Sequence, residues 1–370
     1  MEITCSFPHK LFNLTLLLWV SHLQATDQSF TNFIFGDSLV DVGNNNYLFT
    51  LSKADSSPYG IDFIPSNGQP TGRFTNGRTI SDIVGEALGA ESAPTPYLEP
   101  NTEVNTIHSG INYASGSAGI FDDTGLLFVS SPYTIGRVPL REQVSYFEKS
   151  RDYMVRMIGE NGTKEMLKKS MFTITIGSND ILNYIQPSIP FFSQDKLPIG
   201  VLQDSMRLHE LGARKFVVVG VGPLGCIPFA RALNLIPAGK CSDQVNQIVR
   251  GYNMKLRHSL TTLNNELGYH NTTFVYANSY DLFLKLVLNY RQFGLENADK
   301  PCCGGYFPPF TCFKGPNQNS SEAACEERSK FVFWDAYHPT EAANLIVAKA
   351  LLDGDQTVAT PFNIRYLNHL

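Results

Sequence analysis

Five short runs rich in apolar and β-forming residues punctuate the chain: Asn32 to Phe35, Ile111 to Ala114, Met171 to Ile176, Lys215 to Val219 and Thr273 to Ala277. Their length and composition predict buried strands. Helical patterns lie between them. The clearest spans Asp243 to Gly268, where Val245, Ile248, Val249, Tyr252, Leu256, Leu260, Leu263 and Leu267 recur at three- and four-residue steps on one face. Thr79 to Leu88, Leu140 to Ile158, Tyr280 to Phe293 and Thr340 to Leu352 read the same way. Val201 to Leu211 reads as a shorter helix, about eleven residues and ~17 Å long. Strands alternating with helices predict an α/β fold with a central parallel sheet of about five strands, covered on both faces. No linker divides the chain, so one domain over residues 26–370 is expected.

The first residues follow another pattern. Lys10 precedes an apolar run of about ten residues, Leu11 to Val20, and then the polar Ser21-His22-Leu23-Gln24-Ala25. A membrane-spanning helix needs about 20 apolar residues. Residues 1–25 therefore read as a cleaved signal peptide rather than a transmembrane anchor or a buried first helix, and the mature chain is expected outside the cell. Cysteine usage agrees. Cys5 leaves with the leader, and Cys226, Cys241, Cys302, Cys303, Cys312 and Cys325 remain, an even set that fits disulfides formed in an oxidising compartment. Cys226–Cys241 is the favoured local bridge, and the neighbours Cys302 and Cys303 call for separate partners. No Cys-x-x-Cys pair supports a structural zinc. The sequons at Asn161, Asn271 and Asn319 are candidate glycosylation sites.

With 43% hydrophobic and 17% charged residues, the 370-residue chain is able to bury a sizeable core. A net charge of -5 without any basic stripe excludes nucleic acid as the main partner. No segment points to a protein partner.

The chemistry begins where the first strand meets Gly36-Asp37-Ser38, which leaves a serine at the strand's carboxyl end. Open α/β sheets bind their ligands at that edge. A serine needs a base to become a nucleophile, and the eight histidines can be sorted. His9 and His22 lie in the leader, His209 and His258 in helical stretches, His108 and His270 in polar loops, and His369 at the terminus. Only His338 has an acid three residues before it, Asp335. One loop can then present both groups, the carboxylate accepting from Nδ1 and leaving Nε2 for the serine. Pro339 biases His338 away from helical geometry and can open the helix that follows. Acyl transfer also needs donors for the oxyanion. Candidates stand after three strands: the Ser38 N–H, the Gly116 amide (with Gly119 as a competitor) and the Asn179 side chain. Gly220-Val221-Gly222-Pro223-Leu224-Gly225 matches the dinucleotide pattern, but Pro223 and Pro228 interrupt the helix whose N-terminus would hold pyrophosphate.

These residues carry a resemblance. Gly36-Asp37-Ser38-Leu39 with Val40-Asp41-Val42-Gly43-Asn44-Asn45, then Gly116, Gly177-Ser178-Asn179-Asp180 and Asp335-x-x-His338 recur in the order of the signature blocks of the GDSL, or SGNH, esterase/lipase family. The secreted plant branch is the most similar, and Pro70 to Arg78, Gly222 to Cys226 and Cys302-Cys303-Gly304 resemble it as well. The resemblance spans about Asn32 to Leu352. It implies a flavodoxin-like three-layer α/β/α sandwich acting on small-molecule or lipid esters. Ser38 would be the nucleophile, His338 the base, Asp335 its partner, and Ser38, Gly116 and Asn179 the oxyanion donors. No metal or organic cofactor is implied. The residues leave two other readings open: a catalytically impaired binding protein of the same fold, and transfer of the acyl group to an alcohol.

Overall fold

The computed structural model describes residues 30–100, 102, 109–124, 136–185, 196–268, 271–307, 312 and 324–370. The expected leader and the sequon at Asn319 lie outside the described residues. Strands follow in chain order as β1 (Asn32–Gly36), β2 (Thr95–Pro96), β3 (Ile111–Asn112), β4 (Met171–Thr175), β5 (Lys215–Val219), β6 (Thr273–Ala277), β7 (Asn297–Pro301), β8 (Phe331–Phe333) and β9 (Ala359–Thr360). Among the described residues, one seven-stranded sheet has the order β2-β3-β1-β4-β5-β6-β9, and β7 pairs with β8 separately. All five expected strands lie in the large sheet and are parallel. Four strands lie beyond the expected five: β7 and β8 form the separate pair, while β2 and β9 are two-residue edges of the large sheet, too short to show a period, and β9 runs antiparallel to β6.

Helices are α1 (Ile80–Ala87), α2 (Leu140–Lys169), α3 (Ser178–Tyr184), α4 (Lys196–Glu210), α5 (Pro228–Leu233), α6 (Asp243–Leu267), α7 (Ser279–Leu288), α8 (Glu341–Asp353) and α9 (Ile364–His369). Three differ from expectation. The helix expected over Tyr280 to Phe293 ends at Leu288, and a separate 3-10 turn covers Tyr290–Phe293. Helix α2 continues past Ile158 to Lys169 across a break at Gly159 (φ 74°). Helix α4 begins at Lys196 rather than Val201 and has 15 residues, ~22 Å, enough to cross the sheet. Pro198 and Gly200 concealed its start, but a proline in a first turn forfeits no helical hydrogen bond.

Strand alternation separates the two faces. Phe33, Phe172, Phe216 and Phe274 stand in register across β1, β4, β5 and β6. Their rings form a ladder, with centroids 5.1, 5.8 and 4.3 Å apart, and Phe147 of α2 packs onto it. Helices α2, α4 and α6 make this layer, while α1, α7, α8 and α9 pack around one another on the opposite side. The result is a three-layer α/β/α sandwich.

Strand order reverses at β1, with β3 on one side and β4 on the other. The loops that follow these three neighbours converge at the carboxyl edge, where such sheets hold ligands. Gly36 closes β1 because nothing larger fits: a Cβ there would lie 2.3 Å from the Thr175 carbonyl oxygen and 2.7 Å from Val40. Gln143 of α2 then completes the strand end. Its Oε1 accepts from the Gly36 N–H at 2.8 Å, and its Nε2 donates to the carbonyls of Gly36 and Val138.

The disulfides are Cys226–Cys241, Cys302–Cys325 and Cys303–Cys312, so the favoured local bridge is present and the neighbouring cysteines take separate partners. Asn161 on α2 and Asn271 before β6 are exposed. No helix among the described residues is long and apolar enough to cross a membrane.

Candidate active site

Ser38 sits in the turn after β1. The Val40 and Asp41 N–H groups both donate to the Asp37 carbonyl, and the Leu39 N–H donates to the Asp37 carboxylate at 3.0 Å. This places a half-buried Ser38 hydroxyl 2.7 Å from His338 Nε2, 300 residues away in sequence. On the other side of the ring, Nδ1 lies 2.8 Å from both oxygens of Asp335. An ionised carboxylate only accepts, so Nδ1 carries the proton and Nε2 accepts from the serine hydroxyl. The three residues expected to act together therefore form one hydrogen-bonded line.

Asp335 is fully buried and has many donors. The Tyr337 and His338 backbone N–H groups each donate to Oδ1 at 2.8 Å. Burial alone would raise its carboxyl, but the His338 imidazole and these N–H groups outweigh it and hold the group below the usual carboxylate range. A further donor escaped the sequence reading. Tyr59 Oη donates to Asp335 Oδ2 at 2.9 Å, and both groups are buried. Burial first, and the Asp335 charge second, push the Tyr59 phenol well above its ordinary value, so it stays a donor. Tyr59 lies in the long loop from Asp55 to Asn76, which is rich in Gly, Pro and Ser. That loop also contributes Phe74, whose ring lies 5.2 Å from the His338 ring, and Thr75, which donates to the Pro339 carbonyl at 3.0 Å. The Pro70 to Arg78 block thus forms the wall behind the histidine. Pro339 does not open α8 as expected; Thr340 is the N-cap and accepts from the Ala343 N–H.

The polar residues after Ser38 pin the neighbouring loop. Asn44 Nδ2 donates to the carbonyls of Asn112 and Ala114, and Asn45 Nδ2 to that of Gly116. Asp41 accepts from the Gly43 and Asn44 N–H groups and, through Oδ2 at 2.9 Å, from the Gly116 N–H. The Gly116 amide expected to face a ligand is therefore engaged by Asp41, from the loop after β1. Its glycine is needed for space, because a Cβ would lie 2.7 Å from both Asn45 and Phe74. The next residue, Ser117, holds the left-handed φ of 63° and lines the cavity beside Ser38. Asn179 lines it too. Its Nδ2 donates to the Ala118 carbonyl at 2.8 Å, which fixes the amide and leaves its second hydrogen unused by that bond. Asp180 holds the same loop by accepting from the Ile120 and Phe121 N–H groups and the Thr124 hydroxyl.

Beneath the turn, Asp37 is buried, with one oxygen lacking a hydrogen-bond partner. Burial pushes its carboxyl up to about 7.

A serine, an imidazole and a buried carboxylate in line at the carboxyl edge of a parallel sheet are the equipment of an α/β hydrolase with a serine nucleophile. Sequence comparison narrows the class. The profile of the GDSL-like Lipase/Acylhydrolase family matches residues 33–351, and the chain belongs to that family of ester-cleaving enzymes. Among its relatives, GDSL esterase/lipase At5g41890 of Arabidopsis thaliana is 86% identical, over 93% of this chain and 94% of the relative. GDSL esterase/lipase At3g50400 of the same plant is 44% identical, over 92% and 91%. GDSL esterase/lipase 7, also from Arabidopsis thaliana, is 38% identical, over 96% and 97%.

Proposed function

We propose that the protein is a secreted serine esterase/lipase that hydrolyses carboxylic esters through an acyl-enzyme. The observation that carries this reading is the continuous line from Ser38 Oγ to His338 to Asp335, with both contacts below 3 Å. Ser38 Oγ attacks the ester carbonyl carbon while its proton passes to His338 Nε2. The tetrahedral oxyanion accepts from the Ser38 N–H, the Asn179 amide and the Ser117 N–H, which replaces the Gly116 N–H taken up by Asp41. The carbon–oxygen bond to the alcohol breaks, and the proton on Nε2 goes to the leaving alkoxide. Water then gives a proton to Nε2 as its oxygen attacks the acyl carbon; the acid leaves and the proton returns to Ser38. Asp335 keeps Nδ1 protonated throughout and stabilises the transient imidazolium. The bridges among the six cysteines and the exposed Asn161 and Asn271 support maturation of one domain, residues 26–370, in an oxidising secretory compartment after loss of residues 1–25. Asn319 is the third proposed glycan site.

The test is labelling with an active-serine phosphonate probe, together with hydrolysis of an ester panel by wild type and Ser38→Ala. Wild type is labelled and active, while the variant is neither. Labelling that persists in a folded Ser38→Ala protein overturns the assignment.

A further inference from the structure

The two faces of the central sheet are unequally filled. One carries the phenylalanine ladder. On the other, β1, β4, β5 and β6 present Asn32 and Ile34, Met171, Thr173 and Thr175, Val217 and Val219, and Thr273, Val275 and Ala277, without an aromatic ring among them. Helices α1, α7 and α8 cover this face, yet Thr175 and Val219, in central strands, keep partial accessibility. One cavity of about 420 Å³ takes in the Ser38–His338 site and extends beneath the covering helices.

Its course follows the strands. Ser38, Asn179 and His338 line the end at the carboxyl edge, Val84, Thr173 and Val217 line the middle, and Met171, Leu351 and Ile364 line the far end. Those last three side chains are at most 3% exposed, so the far end is closed. Several polar groups along the way have protein partners: Thr173 donates to Asn32 Oδ1 at 3.0 Å, Ser279 to the Gly220 carbonyl, and Asn344 Nδ2 to the Arg78 carbonyl, while Asn344 Oδ1 has none. The remaining lining of the stretch behind the serine, Val84, Val217, Val287, Leu351 and Ile364 among it, is apolar and suits a hydrocarbon chain.

Building on the ester-hydrolase reading, we propose that this blind channel is the acyl site, and that the substrate is an ester of an unbranched medium-to-long fatty acid whose tail threads between the sheet and α1, α7 and α8. Four strand steps from Thr175 to Met171 span ~13 Å. An extended chain advances about 3.5 Å per three bonds, so this length takes roughly eleven bonds, that of a dodecanoyl group. Each methylene moved from water into apolar surroundings strengthens binding by roughly three- to four-fold. Selectivity over a butanoyl ester is therefore expected to be large.

The test uses p-nitrophenyl esters from acetyl to hexadecanoyl. In wild type, kcat/KM rises with acyl length to about twelve carbons and then falls, because the channel is closed. Thr173→Phe and Val217→Phe plug it at the same depth from two different strands. Each is expected to lower the dodecanoyl-to-butanoyl ratio of kcat/KM at least ten-fold while the protein still unfolds cooperatively. Leu351→Ala opens the far end and moves the optimum to longer chains. Should the plugging variants fail to fold, the wild-type Ser38 adduct of a dodecyl phosphonate decides the matter: its crystal structure shows the tail lying against Thr173 and Val217. A flat chain-length profile in wild type, an unchanged ratio in folded variants, or an adduct tail lying on the surface overturns the proposal. Failure of wild type to cleave even butanoyl ester or to react with a short phosphonate overturns the esterase reading as well.

Discussion

Tyr59 shows what one residue contributes without touching the substrate. Its hydroxyl supplies Asp335 with a charge-assisted hydrogen bond, a class worth about 1.5–3 kcal/mol. Tyr59→Phe keeps the ring against Phe74 and Trp334 and removes only that bond. The expected result is a kcat lower by roughly ten- to a hundred-fold with KM little changed, read by steady-state kinetics on a soluble ester. Asp37 works in another direction. Its native pKa of about 7 lies above the value near 3.9 of an unfolded chain, so the native state holds more protons across that window. The stability it contributes is complete below pH ~4 and is lost as pH rises through 7. Asp37→Asn should therefore flatten the fall in urea-unfolding stability between pH 5 and 8, with the largest gain over wild type at pH 8. An unaltered pH profile would contradict the buried-carboxyl assignment. Ser38, His338 and Asp335 were legible at this scale because their cues are local: a tight turn after an apolar strand, and an acid three residues before a histidine. Tyr59 was not, since 276 residues separate it from Asp335.

At the level of elements, the turn depends on its supports more than on its own sequence. Gln143 reaches from α2 to both backbone groups of Gly36 and to the Val138 carbonyl. Gln143→Leu preserves bulk but strands these buried groups, each at about 1–3 kcal/mol. A loss of roughly 2–5 kcal/mol in urea unfolding is expected, with activity falling because the turn that carries Ser38 loosens. Periodicity found most elements because amphipathic helices and buried strands are written in neighbouring residues. It missed the separate pair β7 and β8 as well as β2 and β9, which pair only because the sheet is already there, and it cut α4 short at a proline that a first turn tolerates.

Across the whole molecule, the loop bearing Asp335 and His338 is held by a layer stapled with disulfides. The Cys302 and Cys303 N–H groups donate to the Phe333 and Trp334 carbonyls, directly before Asp335. The bridges Cys302–Cys325 and Cys303–Cys312 anchor that layer, and Cys226–Cys241 closes a loop of 15 residues, a length for which chain entropy gives about 3 kcal/mol. Reduction under native conditions should lower the thermal midpoint by several degrees and reduce ester hydrolysis at temperatures where the oxidised enzyme is fully active. Calorimetry and a parallel activity assay measure both.

The amino-acid sequence by itself determined the α/β layering, the serine at a strand end, the Asp-x-x-His loop and the family, since each is encoded in short-range spacing. Only the tertiary structure decided that Asp41 takes up the Gly116 amide, that Tyr59 hydrogen-bonds to Asp335, and that one face of the sheet is left hollow behind the serine. Those facts depend on groups brought together from distant parts of the chain, and on how completely side chains from separate layers fill the space between them.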